Sequence, residues 1–208
     1  MSHSYKEIDT KSKIFLTAAH LFAHKGYNGV SMREISEKSG VSKPTIYYYF
    51  QNKEKIYSDL LEEGISLASE NLAKIKESEL SAPQKLMEIL NFRFQASIDH
   101  PDFSRFFLSL YSSQGQFPFV EKYRHKMHVH RAIVREIIEQ GIKHHDLNPD
   151  LDVEIFLDII GSIAINFSRL YIFGLETRSP KYLAQSVVNY LINGAGNTNH
   201  STMQETEA

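Results

Sequence analysis

The chain has 208 residues, 42% of them hydrophobic, which is enough for a sizeable core in one or two domains. It contains no cysteine, which excludes disulfides and thiolate metal sites. The formal net charge is −2, but residues 1–55 carry nine Lys and Arg against five acids, which places +4 there and −6 on the rest. A basic N-terminal quarter favours a polyanion as its partner, although a chance surface imbalance would look the same.

The first thirteen residues carry several charges and no apolar core, so we predict no signal peptide and a cytoplasmic protein. Along the chain apolar residues recur at helical spacing and never alternate for long, which predicts an all-α fold. Residues 9–25 form the first predicted helix, with Asp9 or Thr10 as its cap and Gly26 as its end.

A short second helix follows, and its start is marked by two signals. Ser31 and Glu34 have the S-x-x-E spacing of a capping box, in which each side chain accepts from the other residue's backbone N–H. Val30 and Ile35 stand where a hydrophobic staple would bring them into contact. Gly40 can take the left-handed turn that ends such a helix.

A third helix is predicted from a cap at Ser42 to about Tyr49, and two short helices around a tight turn indicate a helix-turn-helix. If Ile46, Tyr49 and Phe50 face the core, other side chains of this helix must point outward, because successive positions lie about 100° apart. The outward set contains Lys43, Pro44, Thr45, Tyr47 and Tyr48. Such groups can reach DNA base edges and phosphates, whereas the alternative is packing of the tyrosines on a neighbouring helix.

The segment from Ala18 to Tyr57 contains A-x-x-L-F-x-x-x-G-Y, then I-x-x-x-x-G-V-S, then Y-x-Y-F-x-N-K-E. In this order the motifs closely resemble the N-terminal domain of TetR-family transcriptional repressors. The resemblance implies a three-helix DNA-binding domain followed by a diverged helical domain that dimerises and holds a ligand. The resemblance also implies which residues contact DNA. Arg33 on the second helix and Lys43 and Thr45 on the third are expected to contact bases, and Tyr47, Tyr48 and Lys53 to contact the DNA backbone. Ser42, the cap of the third helix, is counted with these predicted DNA-binding residues.

Six further helices are predicted beyond Lys55, with breaks at prolines and glycines. We therefore divide the chain into a DNA-binding domain at 1–55, a helical effector-binding and dimerisation domain at 56–193, and a disordered tail at 194–208. Asp158 and Arg169 interrupt the most apolar region, so no membrane crossing is expected.

The last two predicted helices, 152–173 and 180–193, are apolar on more than one side. Helices of this kind are buried, and a second copy of the chain is the simplest partner that would bury them. We therefore predict a homodimer through about 152–193 that binds a palindromic operator in double-stranded DNA.

The second domain is rich in aromatic residues, with a few polar side chains among them. We expect a small apolar or aromatic effector there, oriented by Asn166 or, if it carries an anionic group, by Arg93. The predicted walls and polar groups are Phe92, Arg93, Phe107, Tyr111, Met127, Asn166 and Phe167. The alternative for each of them is that it only fills the core.

Two alternatives to a ligand-responsive regulator come from the same sequence. Glu121, His125 and His128 share one helical face and could bind a divalent metal in a helical-bundle enzyme, or be ordinary surface residues. The chain has no phosphate loop, H-E-x-x-H motif or nucleophile elbow, so we predict no enzyme, no catalytic residue and no cofactor. The other alternative is an orphan DNA-binding protein without an effector.

Overall fold

The computed structural model describes residues 9–112 and 120–194, which are helical apart from caps and short connections. Within these ranges there is no β-strand, and the prediction of an all-α fold is confirmed. The helices are α1 Thr10–Lys25, α2 Met32–Ser39, α3 Lys43–Phe50, α4 Lys53–Lys76, α5 Ala82–Asp99, α6 Pro101–Ser112, α7 Val120–Lys143, α8 Val153–Ile172 and α9 Pro180–Asn193. Apart from Gly194, the predicted tail lies outside the described residues.

The first helix begins and ends at residues that the sequence indicates. The Asp9 side chain accepts a hydrogen bond from the Ser12 backbone N–H at 3.0 Å, so Asp9 rather than Thr10 is the cap. Gly26 ends α1 with φ at +68°, a backbone conformation that side-chain-bearing residues rarely adopt. The entry into the next helix is therefore set by local chemistry.

The start of α2 follows the prediction only in part. The Ser31 hydroxyl oxygen accepts from the Glu34 backbone N–H at 3.2 Å, and Val30 and Ile35 are both buried. The Glu34 carboxylate, however, accepts a hydrogen bond from the Lys25 ammonium of α1. A charge-assisted hydrogen bond is stronger than one from a neutral N–H, so the Glu34 carboxylate pairs with Lys25 instead of accepting from the Ser31 backbone N–H.

Two hydrophobic clusters hold the helices together. The first contains the buried faces of α1–α3, the first half of α4, and residues Phe106 and Leu110 of α6 with Tyr123 of α7. The second is formed by α5, the second half of α7, α8 and α9. The first cluster continues past residue 55, because Phe106 packs edge-on against Tyr57 with 5.1 Å between ring centroids.

Helix α8 is long and apolar enough to cross a membrane by length and composition alone. It packs against α5, α6 and α7 in the structure. Its Glu154 and Asp158 carboxylates accept hydrogen bonds from the Arg131 guanidinium of α7, at 2.9 and 2.8 Å. Helix α8 is therefore packed against three neighbouring helices and joined to one of them by ion pairs.

Candidate nucleic-acid interface

Helix α3 buries one face and presents the other to solvent. Ile46 and Phe50 are completely buried in the first cluster, whereas Tyr48 is 83% exposed and Tyr47 48% exposed. Tyr49 differs from the expectation of a core position, since it is 39% exposed and its ring packs edge-on against that of Tyr48 at 5.3 Å. A helix of eight residues thus displays three adjacent phenol groups.

The first turn of α3 is held by its cap. The Ser42 hydroxyl oxygen accepts from the Thr45 backbone N–H at 3.3 Å, and the two side-chain hydroxyls lie 2.7 Å apart. Lys43, between them, has an exposed side chain. The two hydroxyls hold the first turn of α3, which the sequence predicts to contact DNA, and Lys43 provides positive charge beside them.

Arg33 of α2 is engaged by a carboxylate within the same surface. Its Nε donates to the Glu37 Oε1 at 2.7 Å, with both side chains largely exposed. The hydrogen bond from Arg33 lowers the pKa of Glu37, and the charges of Lys43 and Lys38 add to the effect. An exposed pair of this kind contributes little stability, so Arg33 can leave Glu37 for a base or a phosphate at small cost.

Lys53 is partly buried at the start of α4. Its Nζ donates to the carbonyl oxygens of Tyr27 and Val30, each at 2.9 Å, and lies 4.1 Å from the centroid of the Tyr27 ring. Burial lowers the pKa of Lys53. Two of the three ammonium donors therefore fix the α1–α2 connection to the start of α4, which leaves one for a phosphate.

The residues predicted to bind an effector fall into separate groups. Phe107 and Met127 pack against the first cluster and Phe167 against the second, while Phe92 and Arg93 are partly buried on α5. The side chain of Tyr111 lies outside the described residues. Asn166 does not face the interior of the chain, because it is exposed on α8 and its Oδ1 accepts from Arg169 at 3.1 Å.

A polar region lies between α4, α5 and α7. The His130 Nε2 is 2.7 Å from the Ser69 hydroxyl, and burial lowers the pKa of His130, with the charges of Lys126 and Arg93 adding to it. The Arg93 Nε is buried and has no hydrogen-bond partner among the described residues. The Asn71 Oδ1 on α4 is also buried and also lacks a hydrogen-bond partner among the described residues. Such groups are costly unless a ligand or water completes them.

The three residues of the metal alternative do not form a ligand set in the described part of the chain. Glu121, His125 and His128 are exposed, and Glu121 accepts a hydrogen bond from Arg124 at 2.8 Å. The potential metal-binding cluster found in that part of the chain lies elsewhere, and none of these three residues belongs to it. The geometry therefore gives no support to an enzyme built on this face.

Comparison with known proteins adds relatives to this geometry. The model of the family described as "Bacterial regulatory proteins, tetR family" matches residues 14–60. The uncharacterized HTH-type transcriptional regulator YuxN of Bacillus subtilis is 26% identical over 177 residues, which cover 83% of this chain but only 54% of YuxN. The HTH-type transcriptional repressor KstR2 of Mycolicibacterium smegmatis is 24% identical over 155 residues, 70% of this chain and 71% of KstR2.

Solved structures share the architecture of the whole described chain. The crystal structure of FadR from Bacillus subtilis in complex with stearoyl-CoA superposes with a TM-score of 0.73 at 21% identity. The match covers 89% of this chain and 100% of that one. It shows the fold, with an N-terminal helix-turn-helix followed by a helical body.

An N-terminal helix-turn-helix with an exposed third helix has the architecture of a DNA-binding module of the helix-turn-helix class. The matched segment runs from α1 into α4 and contains the helices that carry the residues predicted to bind DNA. Residues 14–60 match the TetR family of bacterial regulatory proteins, and the relatives that extend beyond this segment are named as transcriptional regulators.

Proposed function

We infer that the chain is a repressor that binds a palindromic operator as a homodimer and leaves it when a small effector binds. It would act in the cytoplasm by binding alone, without a catalytic residue. The observation that carries this inference is the outer face of α3, where Lys43, Tyr47 and Tyr48 are exposed beside the Ser42–Thr45 hydroxyl pair. A recognition helix with such side chains contacts both base edges and phosphates.

Exposed apolar side chains on α8 and α9 support the homodimer. Ile155 and Ile159 stand one turn apart on α8 and are 58% and 41% exposed, and Tyr182 and Tyr190 of α9 are 58% and 67% exposed. Asn166 lies on the same exposed side of α8. A second copy would cover these residues, and an interface formed by the same surface on both chains gives a two-fold axis.

The two-fold axis matters for the operator. One helix-turn-helix buries too little surface for specific affinity, whereas two related by a dyad can enter successive major grooves about 34–36 Å apart. Ile159→Asp should therefore give a monomer in sedimentation velocity and abolish binding to a palindromic site. Leu67→Asp, which changes a 51% exposed residue of α4, should leave both properties intact. A dimer that survives Ile159→Asp would place the interface elsewhere.

The buried, unpartnered Nε of Arg93 points to the chemistry of the effector. Arg93 lies close enough to the Ser69–His130 pair for its charge to lower the pKa of His130. The second predicted domain around these polar groups is rich in aromatic residues. An effector with an apolar body and an anionic group fits this combination. The complex of FadR with stearoyl-CoA supports an acylated amphiphile as the class to test.

The contribution of the effector's anionic group can be distinguished from that of its apolar body by comparing stearoyl-CoA, stearate and stearyl alcohol. We expect the two anions to raise the melting temperature and weaken operator binding, and the alcohol to do neither as strongly. Arg93→Met should remove the preference for anions, while Arg124→Met, which changes an exposed arginine, should preserve it. If stearyl alcohol changed the melting temperature and operator affinity of the unsubstituted protein as much as stearate does, Arg93 would not distinguish charged from neutral effectors.

A further inference from the structure

Two histidines of α1 face an aspartate at the start of α6. His20 and His24 are one helical turn apart with ring centroids 4.3 Å from each other, and Asp102 is in the first turn of α6. The His20 Nδ1 is 2.8 Å from the Asp102 Oδ2, and the His24 Nδ1 is 3.8 Å from the Oδ1. All three side chains are partly exposed, so ions in solution can reach them.

The spacing and the chemistry suit a divalent metal ion. Two histidines at i and i+4 on one helical face form the pair that binds zinc in helical metal sites, and a carboxylate is a common third ligand. One ligand atom from each of the three residues lies within 4.8 Å of the other two. Tetrahedral zinc with bonds of about 2.0–2.1 Å needs ligand atoms about 3.3 Å apart, so the 2.8 Å between the His20 Nδ1 and the Asp102 Oδ2 has to lengthen only slightly when the ion binds.

The hydrogen bond of His24 is also compatible with a metal ligand. Its Nδ1 lies 2.9 Å from the His20 carbonyl oxygen, so Nδ1 carries the proton and donates, and the Nε2 lone pair remains. A histidine that binds metal through one nitrogen usually donates from the other to a carbonyl or carboxylate. The hydrogen bond to the His20 carbonyl holds the His24 ring beside His20 and Asp102.

The surroundings leave room for the ion and its waters. His20 and Asp102 line an open groove of about 530 Å³, whose wall also contains Lys25, Glu34 and Lys38. The charge of Lys25 is paired with Glu34, so it does not oppose a cation at this groove. Water can fill the remaining coordination position from the solvent side.

We propose that His20, His24 and Asp102 bind Zn²⁺ and thereby tie α1 of the DNA-binding domain to α6 of the helical body. In binding, the ion takes the place of the proton between His20 and Asp102. A metal that bridges the two helices stabilises the arrangement in which they meet, and so biases the position of α3 on DNA. Zinc binding itself does not depend on the function inferred above, whereas the effect on DNA does.

The direct test is zinc affinity of the full chain by calorimetry, with Co²⁺ absorption as a report on coordination geometry. His24→Ala and Asp102→Asn should each weaken zinc binding by at least about tenfold. The control variant, His125→Ala with His128→Ala, removes two exposed histidines of α7 and should keep the wild-type affinity. Affinity that survives Asp102→Asn would contradict a bridge to α6, and affinity lost in the control would move the site to α7.

The second measurement is operator affinity with and without saturating zinc. We expect zinc to change the dissociation constant of the wild type and not that of His24→Ala. Zinc binding with no change in operator affinity would overturn the regulatory part and retain the metal site. Absence of operator binding in zinc-free protein would instead contradict the function inferred from α3, so the two failures are distinguishable.

Discussion

Replacing Gly64 with alanine should destabilise the contact between α4 and α6. A Cβ at this position would lie 2.3 Å from both Cε2 and Cζ of Phe107 and 2.8 Å from Cε1 of Phe103. Contacts this short do not occur, so a phenyl ring or a helix must move. Phe107 has little freedom to do so, because its ring packs against those of Phe103, Phe106 and Tyr123 at 5.2, 5.3 and 6.1 Å.

Two effects of opposite sign decide the magnitude. Alanine is favoured over glycine inside a helix by about 1 kcal/mol. Overpacking a well-filled core costs about 1–3 kcal/mol, and the upper end applies to a ring held on three sides. The net loss should be about 2 kcal/mol, which corresponds to a melting temperature about 4–8 °C lower for a chain of this size.

Urea unfolding followed by circular dichroism measures this loss, and two variants serve as controls. Gly161→Ala on α8 meets nothing within 4 Å and should gain stability through helix propensity alone. Phe107→Leu should reduce the penalty when combined with Gly64→Ala, because the shorter side chain makes room. If Gly64→Ala raised stability as Gly161→Ala does, the packing of α4 on α6 would be looser than described.

Three further predictions concern charge. Glu37→Gln should strengthen DNA binding and make the slope of log K against log salt concentration steeper by about 0.9, because Arg33 is released to contact a phosphate. DNA titrations at two salt concentrations measure this slope, and an unchanged slope would show that Arg33 gains no phosphate contact. Lys53→Met should lower the free energy of unfolding in the absence of DNA by about 2 kcal/mol, since it donates two hydrogen bonds to carbonyls, and a change confined to DNA affinity would contradict this role. Burial lowers the pKa of His130, so its contribution to the free energy of unfolding should be fully present above about pH 6.5 and decrease as the pH falls below that value. In thermal melts, His130→Gln should make the melting temperature less dependent on pH, whereas His125→Gln should leave that dependence unchanged.

Local signals in the sequence predicted where α2 and α3 begin and where α2 ends. The caps at Ser31 and Ser42 and the end at Gly40 depend on residues within three or four positions, and the structure confirms them. The outward direction of Tyr47 and Tyr48 followed from helical geometry and is confirmed by their exposure. Such features need no knowledge of the rest of the fold.

Tertiary contacts limited the other predictions. The pairing of Lys53 with carbonyls more than twenty residues away has no sequence signature, and the exposed position of Asn166 depends on how α8 is rotated against its neighbours. The histidines at positions 20 and 24 have a recognisable i, i+4 spacing, but their partner lies on α6, 78 residues further on for His24. Sequence reasoning could have noted the pair but not the third ligand.

The continuity of the first hydrophobic cluster changes where the chain can be divided. Because Phe106 packs on Phe22 and Tyr57, the first three helices share one core with the start of α4 and with α6. The boundary between the two clusters therefore lies along the contacts of α6 with α5 and α8, rather than at residue 55. A fragment cut at residue 55 would lose part of its own core, and a displacement of α8 would reach the N-terminal helices through α6.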